Sequence, residues 1–439
     1  MANISSRRLD LLQRHHVTRR GKYVQQTIDI GGRKFVSQIA TTAPATAHPD
    51  VAWVQSYLAG TPIEGPDPSK TLRAVDLFCA SGGLTAGLKH AAQSLGFKVE
   101  VALAVDADVD ALEIYRTNHG PMLSSSADVQ ALVNYQVADR GESASWSTSP
   151  ALIEPHVTGF LGDVDVVVAG PPCQGHSNLN NSTRRKDGRN VLYLTAVAFA
   201  VAARAKLCII ENVPEVLSDS RDVVRTAKAL FLRSGYRIDD SILSANHFGV
   251  AQRRRRHFLV AVRDIPSDFR IPELAHGLRM NPISVKHAIG DLVKEREGDV
   301  FNGVGQLSVE NIRRIAWLFD NDAYDLPNKQ RPDCHKNGHT YPSVYGRMRW
   351  NEPAQTLTSG FLTPGRGRFV HPGRRRTLTP HEAARLQSFP DSYAFSLSAG
   401  IPSRMLYSKM IGDAVPPLLA RAVSLIGLSV LNTPNRGYD

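Results

Sequence analysis

Cysteine is scarce in this chain. Its four cysteines (Cys79, Cys173, Cys208 and Cys334) are scattered over 439 residues. That argues against a disulfide framework and suits a reducing compartment. Long apolar runs are missing too: no stretch approaches the ~18 uncharged apolar residues of a membrane span. The opening MANISSRRLDLLQRHH lacks the apolar core of a signal peptide. The expectation is a soluble, cytoplasmic protein with no membrane partner. There is no internal repeat and no G-x-G-x-x-G fingerprint, which counts against a nicotinamide dehydrogenase. There is also no C-x-x-C. Cys334, His335 and His339 alone make three possible ligands, so no metal is expected. Acidic residues are outnumbered by basic ones, 41 to 52, for a net charge of +11. That balance raises the prospect of a polyanionic partner.

What is present is an ordinary globular composition, 42% hydrophobic and 21% charged, in a chain long enough for two domains. Residues 1–70 read as a basic extension. It holds a hairpin, YVQQTIDI and RKFVSQIA around Gly31-Gly32, and a Pro/Gly-rich linker, GTPIEGPDPSK. Over residues 71–264 the apolar runs RAVDLF, VEVALAVD, VDVVVAG, AKLCIIENV and HFLVAVR alternate with helical patterns. This is the signature of an α/β fold, a doubly wound and mostly parallel sheet. Residues 265–399 are richer in Arg, Pro, Gly and aromatics and predict a second, smaller domain of loops and short strands. Residues 400–439 return to a helical pattern introduced by Pro416-Pro417.

Four places carry the chemistry. In VDLFCASGGLTAGLKHA a strand passes through a glycine turn into a helix, and the next strand ends at Asp106. Glycines let backbone approach a ligand, and an acid at that position holds the ribose hydroxyls of an adenosyl group. A dehydrogenase or a plain packing turn would look similar. In VDVVVAGPPCQGHS two prolines stiffen the approach to Cys173, just past a strand's carboxyl end where a thiolate is reachable. Cys208, inside AKLCIIENV, reads instead as a packing residue. Glu211 follows Ile209-Ile210 at another strand end, where a carboxylate is costly unless paired or working. In AQRRRRHFLVAVR, period-2 geometry puts Gln252, Arg254 and Arg256 on one side and Arg253 and Arg255 on the other.

The ordered set DLFCASGGL, AVDAD, GPPCQGHS, ENV, QRRRR, RLQSFPD and GDAVPP resembles the DNA cytosine-5 methyltransferases of the bacterial modification type, over about residues 72–425. The resemblance implies a class I, Rossmann-like catalytic domain that uses S-adenosylmethionine and releases S-adenosylhomocysteine, with no metal. It also implies a target-recognition region at about 265–345 that engages double-stranded DNA. Cys173 would add to C6 of a flipped cytosine. Glu211 would hold N3 and the exocyclic amine. Arg254 would contact the base and catalytic centre, with Arg256 bracing the loop. Phe78, Gly82, Leu84, Asp106, Asp128, Pro171, Asp413 and Val415 would form the cofactor pocket. DNA contacts would come from Ser177, Arg184, Arg185 and Lys186, in the loop after the cysteine, and from Gln252.

Three residues depart from the family pattern: His176 stands where Phe is usual, Ala80 where Gly is usual, and Asp413 where Asn is usual. The last puts a hydrogen bond between tail and recognition region in doubt. The resemblance further implies a monomer near the bacterial nucleoid, with any cognate restriction endonuclease acting separately. The alternatives are the same chemistry on RNA, whose tRNA-directed branch carries a Cys-Phe-Thr element absent here, and a catalytically silent DNA-binding relative.

Overall fold

The computed structural model describes residues 12–159, 164–172, 192–294, 298–333, 336 and 343–431. Leu12–Arg20 (β1), Tyr23–Ile30 (β2) and Arg33–Ala40 (β3) form an antiparallel meander. Helix Pro49–Leu58 (α1) follows, and Ile63–Glu64 (β4) pairs with the edge of β3. The Gly31-Gly32 hairpin is as expected, with both glycines at positive φ. It is one part of a larger sheet, however, because the basic segment before it is itself a strand. There Val17 is buried while His16 and Arg20 are exposed. Val24, Ile28 and Ile39 of this sheet and Trp53, Val54 and Leu58 of α1 join the main hydrophobic core. The described part of the extension from Val17 to Leu58 therefore contributes to the main core.

The chain then winds the central sheet. Lys70–Leu77 (β5), helix Gly83–Ser94 (α2), Phe97–Val105 (β6), helix Val109–His119 (α3) and Leu123–Ser125 (β7) run outward to one edge. Val133–Ala138 (β8) and Ser145–Leu152 (β9) make a separate hairpin, followed by a short helix, Pro155–Thr158 (α4). Val166–Ala169 (β10) returns to the other side of β5. Helix Leu192–Ala202 (α5), Leu207–Asn212 (β11), helix Val223–Arg233 (α6) and Tyr236–Ser244 (β12) continue that half. Gln252–Arg253 (β13) leads into Arg255–Arg263 (β14), which inserts antiparallel between β11 and β12. The order β12-β14-β11-β10-β5-β6-β7 reverses direction between β10 and β5. Open α/β sheets bind ligands in the crevice at such a reversal, beyond the strands' carboxyl ends.

Alternate residues of the buried strands feed two cores. Ala74, Val166, Val168, Leu207 and Ile209 face one, and Val75, Leu77, Val167, Cys208 and Ile210 face the other. Cys208 is thus the packing residue its strand predicts.

Beyond β14 the chain contributes to two cores. Helices Ile271–Gly277 (α7) and Val285–Ile289 (α8) pack into the main core through Ile271, Leu274, Val285, Ala288 and Ile289. A small independent core comprises Ile315, Leu318, Leu326, Val344, Tyr345 and Val370 and is organised on helix Val309–Asp320 (α9). Ala354–Gln355 (β15) pairs in parallel with β13. Helices Pro380–Leu386 (α10), Arg404–Gly412 (α11) and Pro417–Leu431 (α12) complete the chain. The stretch Arg404–Leu431 is long and apolar enough to cross a membrane, but its most apolar window is 89% buried in the protein. It is also split by Pro416-Pro417, and α12 packs against α2 as a core helix.

Candidate active site

The turn after β5 is held under strain. Phe78 and Ala80 both have positive φ, 56° and 45°, as does Gly82 at 87°. A left-handed residue other than glycine costs roughly 1–2 kcal/mol, and Asp106 offsets it. The Ala80 amide donates to Asp106 Oδ2 at 2.7 Å, and the Asp108 amide donates to Oδ1 at 2.8 Å. So Ala80 occupies a glycine-type conformation, and the acid expected at the ribose also caps the turn.

Gly82 faces protein. His119 Nε2 and Tyr393 Oη would stand 2.4 and 2.7 Å from a Cβ there, and His119 Nε2 lies 3.0 Å from the Gly82 carbonyl oxygen. Burial and the nearby Lys89 charge lower His119 to about 3, so its ring is neutral. Residues 413–415 close over the same turn: the Val415 carbonyl oxygen would sit 2.1 Å from a Cβ on Gly83. Only glycine lets the tail come this close. Leu84 is buried and points at Gly170. Asp128 is exposed and caps a short turn by accepting from the Gln130 amide at 3.0 Å.

Beneath the turn lies a group that sequence reasoning missed. Asp76, in VDLF, is fully buried. Its Oδ2 accepts from Thr85 Oγ1 at 2.7 Å, and that hydroxyl also meets Tyr115 Oη at 2.8 Å. Burial raises the Asp76 carboxyl to about 7. An acid within an apolar strand is the signal that singled out Glu211, and it would have found Asp76 as well.

Across the reversal, β10 delivers residues 170–172. Cys173 lies outside the described residues, as do His176, Ser177, Arg184, Arg185 and Lys186, and Cys334, His335 and His339. What surrounds the end of β10 is described. Asn212 of the ENV triplet donates to the Pro171 carbonyl at 3.2 Å, which ties the proline strand end to β11. Glu211 Oε1 lies 2.8 Å from Arg256 Nε, with the two side chains only 10% and 13% exposed. Its Oε2 stands 4.0 Å from a Cβ position on Gly170, which is also 3.6 Å from the Phe78 carbonyl oxygen. The carboxylate and the glycine turn thus border one crevice. Burial raises the Glu211 carboxyl above its usual range, against the opposing charges of Arg256, Arg254 and His257.

Residues 72–425 match the family described as C-5 cytosine-specific DNA methylase. The chain belongs to this family. It is a sequence-specific DNA cytosine-5 methyltransferase. Among its relatives, the Type II methyltransferase M1.BsuMI of Bacillus subtilis (strain 168) is 38% identical over 81% of this chain and 80% of its own length. The Type II methyltransferase M.AgeI of Thalassovita gelatinovora is 27% identical over 80% of this chain and 98% of its own. A solved putative DNA modification methyltransferase from an E. coli prophage shares the fold, with a TM-score of 0.53 at 24% identity, covering 81% of this chain and 98% of that one.

Within this methyltransferase the arginine run alternates as expected: Gln252 and Arg254 are buried, Arg253 and Arg255 exposed. Arg256 makes the ion pair with Glu211, and Arg254 donates to the Leu357 carbonyl at 2.7 Å and the Gly412 carbonyl at 3.2 Å. Gln252, expected at the DNA, is enclosed by protein here. It is fully buried, donating to Gln387 Oε1 at 2.9 Å and accepting from the Leu357 amide at 2.8 Å.

Gln387, from RLQSFPD, in turn donates to the Ile411 carbonyl at 2.7 Å and is a structural residue the sequence reading missed. The tail keeps its link to the recognition region despite Asp413. Gly412 rests on Ser359, whose amide nitrogen would be 2.3 Å from a Cβ there, and the Ser359 side chain hydrogen-bonds Asp413.

Proposed function

We propose that this methyltransferase modifies a cytosine swung out of duplex DNA, with Cys173 as nucleophile and Glu211 and Arg256 as the groups that hold the base. The observation that carries this is the Glu211–Arg256 pair, at the carboxyl end of β11 beside the stretch leading into Cys173. Attack of the Cys173 thiolate on C6 forms an S–C6 bond and pushes the ring's electrons towards C5 and N3. A carboxyl that burial inclines to keep its proton suits donation at N3 as that charge develops. Arg256 holds Glu211 in one orientation and limits how far its affinity for protons rises. Loss of the C5 proton and elimination of Cys173 then restore the ring and free the enzyme. The target base cannot be reached inside the stack, so it leaves the duplex at a cost of a few kcal/mol.

The residues present fit S-adenosylmethionine. The glycine turn leads into the α2 N-terminus, the 413–415 segment packs onto it where Gly83 leaves no room for a Cβ, and Asp106 braces it through the Ala80 amide; Phe78 and Asp128 would complete the pocket. When bound there, that group supplies the electrophilic methyl. The chain's own contribution is to hold the turn open through Asp106 and to close the tail over it. No metal enters the scheme. We further infer a monomer in the bacterial cytoplasm, near the nucleoid, belonging to a modification system whose endonuclease acts separately.

The test is covalent trapping. Duplex DNA carrying 5-fluorocytosine cannot lose a C5 proton, so wild-type protein with the methyl donor should give a denaturation-resistant complex. Cys173→Ala should give none while still binding S-adenosylhomocysteine. Trapping by that variant would overturn the nucleophile assignment.

A further inference from the structure

On the small unit built around α9, four arginines crowd two aromatic rings. Arg347 lies 4.1 Å over Phe319 and 5.2 Å over Tyr324, Arg375 lies 5.7 Å over Phe319, and Arg349 lies 3.9 Å over Tyr324. Arg368 fills the space beside them, donating to the Tyr324 carbonyl at 2.8 Å. These arginines are not equivalent. Arg347 and Arg368, 13% and 17% exposed, spend their donors on the frame: Arg347 on the Pro372 carbonyl and Asp322, Arg368 on two carbonyls and Asp325. Arg375 pairs with Asp320 at 2.6 Å.

Arg349 differs. It is 49% exposed, its guanidinium carbon sits over the Tyr324 ring, and Glu352 Oε1 lies 3.6 Å from its Nε. Glu352 also holds Arg253 at 3.1 Å, so two half-exposed guanidiniums share one carboxylate. Together with Met348, Pro353, Gln355 and Arg368 they line a cleft of about 110 Å³.

The cleft's position ties it to the catalytic centre. Arg253 lies three residues before Arg256 on the same chain segment, roughly 10 Å along extended backbone. From Glu352 the chain passes through β15 to Leu357 and Ser359, which meet Arg254 and Gly412. A half-exposed guanidinium held over an aromatic ring and steadied by a carboxylate loses less freedom on making two parallel hydrogen bonds to one planar acceptor pair. The O6 and N7 atoms of guanine in the major groove are the commonest such pair in DNA.

We propose that Arg349, held over Tyr324 and steadied by Glu352, reads a guanine of the target sequence within about four base pairs of the methylated cytosine. The inference rests on the duplex-DNA reading above. Arg253 supplies the excess positive charge that draws the backbone in, and Tyr324 is a positioning residue.

The experiment uses full-length protein, labelled methyl donor and plasmid DNA of random sequence, with bisulfite sequencing of every methylated site. Wild type should give a defined sequence profile. Arg349→Ala should still methylate DNA, but discrimination for guanine at one position should fall roughly 10- to 100-fold, with the salt dependence of binding almost unchanged. Tyr324→Leu, which keeps the charge and removes the ring, should relax the same position. Unaltered affinity for S-adenosylhomocysteine shows that both variants are folded. If Arg349→Ala weakens all sequences alike, lowers the salt slope by about one, and is rescued by Arg349→Lys, the residue is a phosphate anchor and the proposal fails. An unchanged profile also overturns it. Absence of DNA methylation by the wild type would instead overturn the proposed function.

Discussion

Removing Arg256 tests the electrostatics of the site most directly. In Arg256→Met the aliphatic stem is nearly replaced, but Glu211 keeps its burial and loses the guanidinium 2.8 Å away. Two unit charges about 4 Å apart attract by about 4 kcal/mol at an effective dielectric near 20. Breaking a buried pair from one side costs about 3–5 kcal/mol, because the surviving charge is stranded. Glu211 has an escape, since it can take up a proton. Burial already raises its carboxyl in the folded state, and loss of Arg256 raises it further.

The folded protein then binds this proton more tightly than the unfolded chain does. Stability therefore falls as pH climbs from the unfolded value near 4.5 towards the folded one, at most 1.36 kcal/mol per pH unit. In the variant that fall continues to higher pH than in the wild type. Urea unfolding should accordingly show the variant less stable by about 3 kcal/mol at pH 8 and by under about 1 kcal/mol at pH 5. Methyl transfer should drop at least 100-fold. An equal loss of stability at both pH values would refute the stranded-carboxylate argument and leave only lost packing.

Two further outcomes follow from the glycine turn. Ala80→Gly should stabilise the protein by roughly 1 kcal/mol, since it relieves a left-handed alanine while keeping the amide that Asp106 accepts; a fall in thermal midpoint would contradict this. Asp106→Ala should raise the apparent KM for the methyl donor and, unlike an acid serving only the ligand, should also cost about 1.5–3 kcal/mol of stability in denaturant titrations, because two backbone amides lose their acceptor.

Much of this enzyme is legible along the chain because its signals are local. Strand ends that stop at Gly170, Glu211 and Asp106 all fall at the sheet's carboxyl edge, where the order of strands opens a crevice. The alternation within QRRRR is likewise a property of extended backbone, and it correctly separated Gln252 and Arg254 from Arg253 and Arg255. The internal Glu211 was conspicuous because charge is expensive between isoleucines; Asp76 carried the same mark and was passed over.

What only the tertiary structure decided is how far each side chain reaches once partners distant in sequence arrive. Gln252, Arg254 and Arg256 share a side, yet Gln387 and Leu357 seal the first, Leu357 and Gly412 hold the second, and the third pairs with Glu211. No local period encodes that, because the blocking groups lie more than 100 residues on. The same holds for the N-terminal strands. Their basic composition suggested an outlying arm, and their inward Val17, Val24 and Ile28 join the main core, where β1 packs on helices α1 and α7. Sequence set the spacing and the chemistry of the groups; the packing of remote segments chose which of them face the crevice.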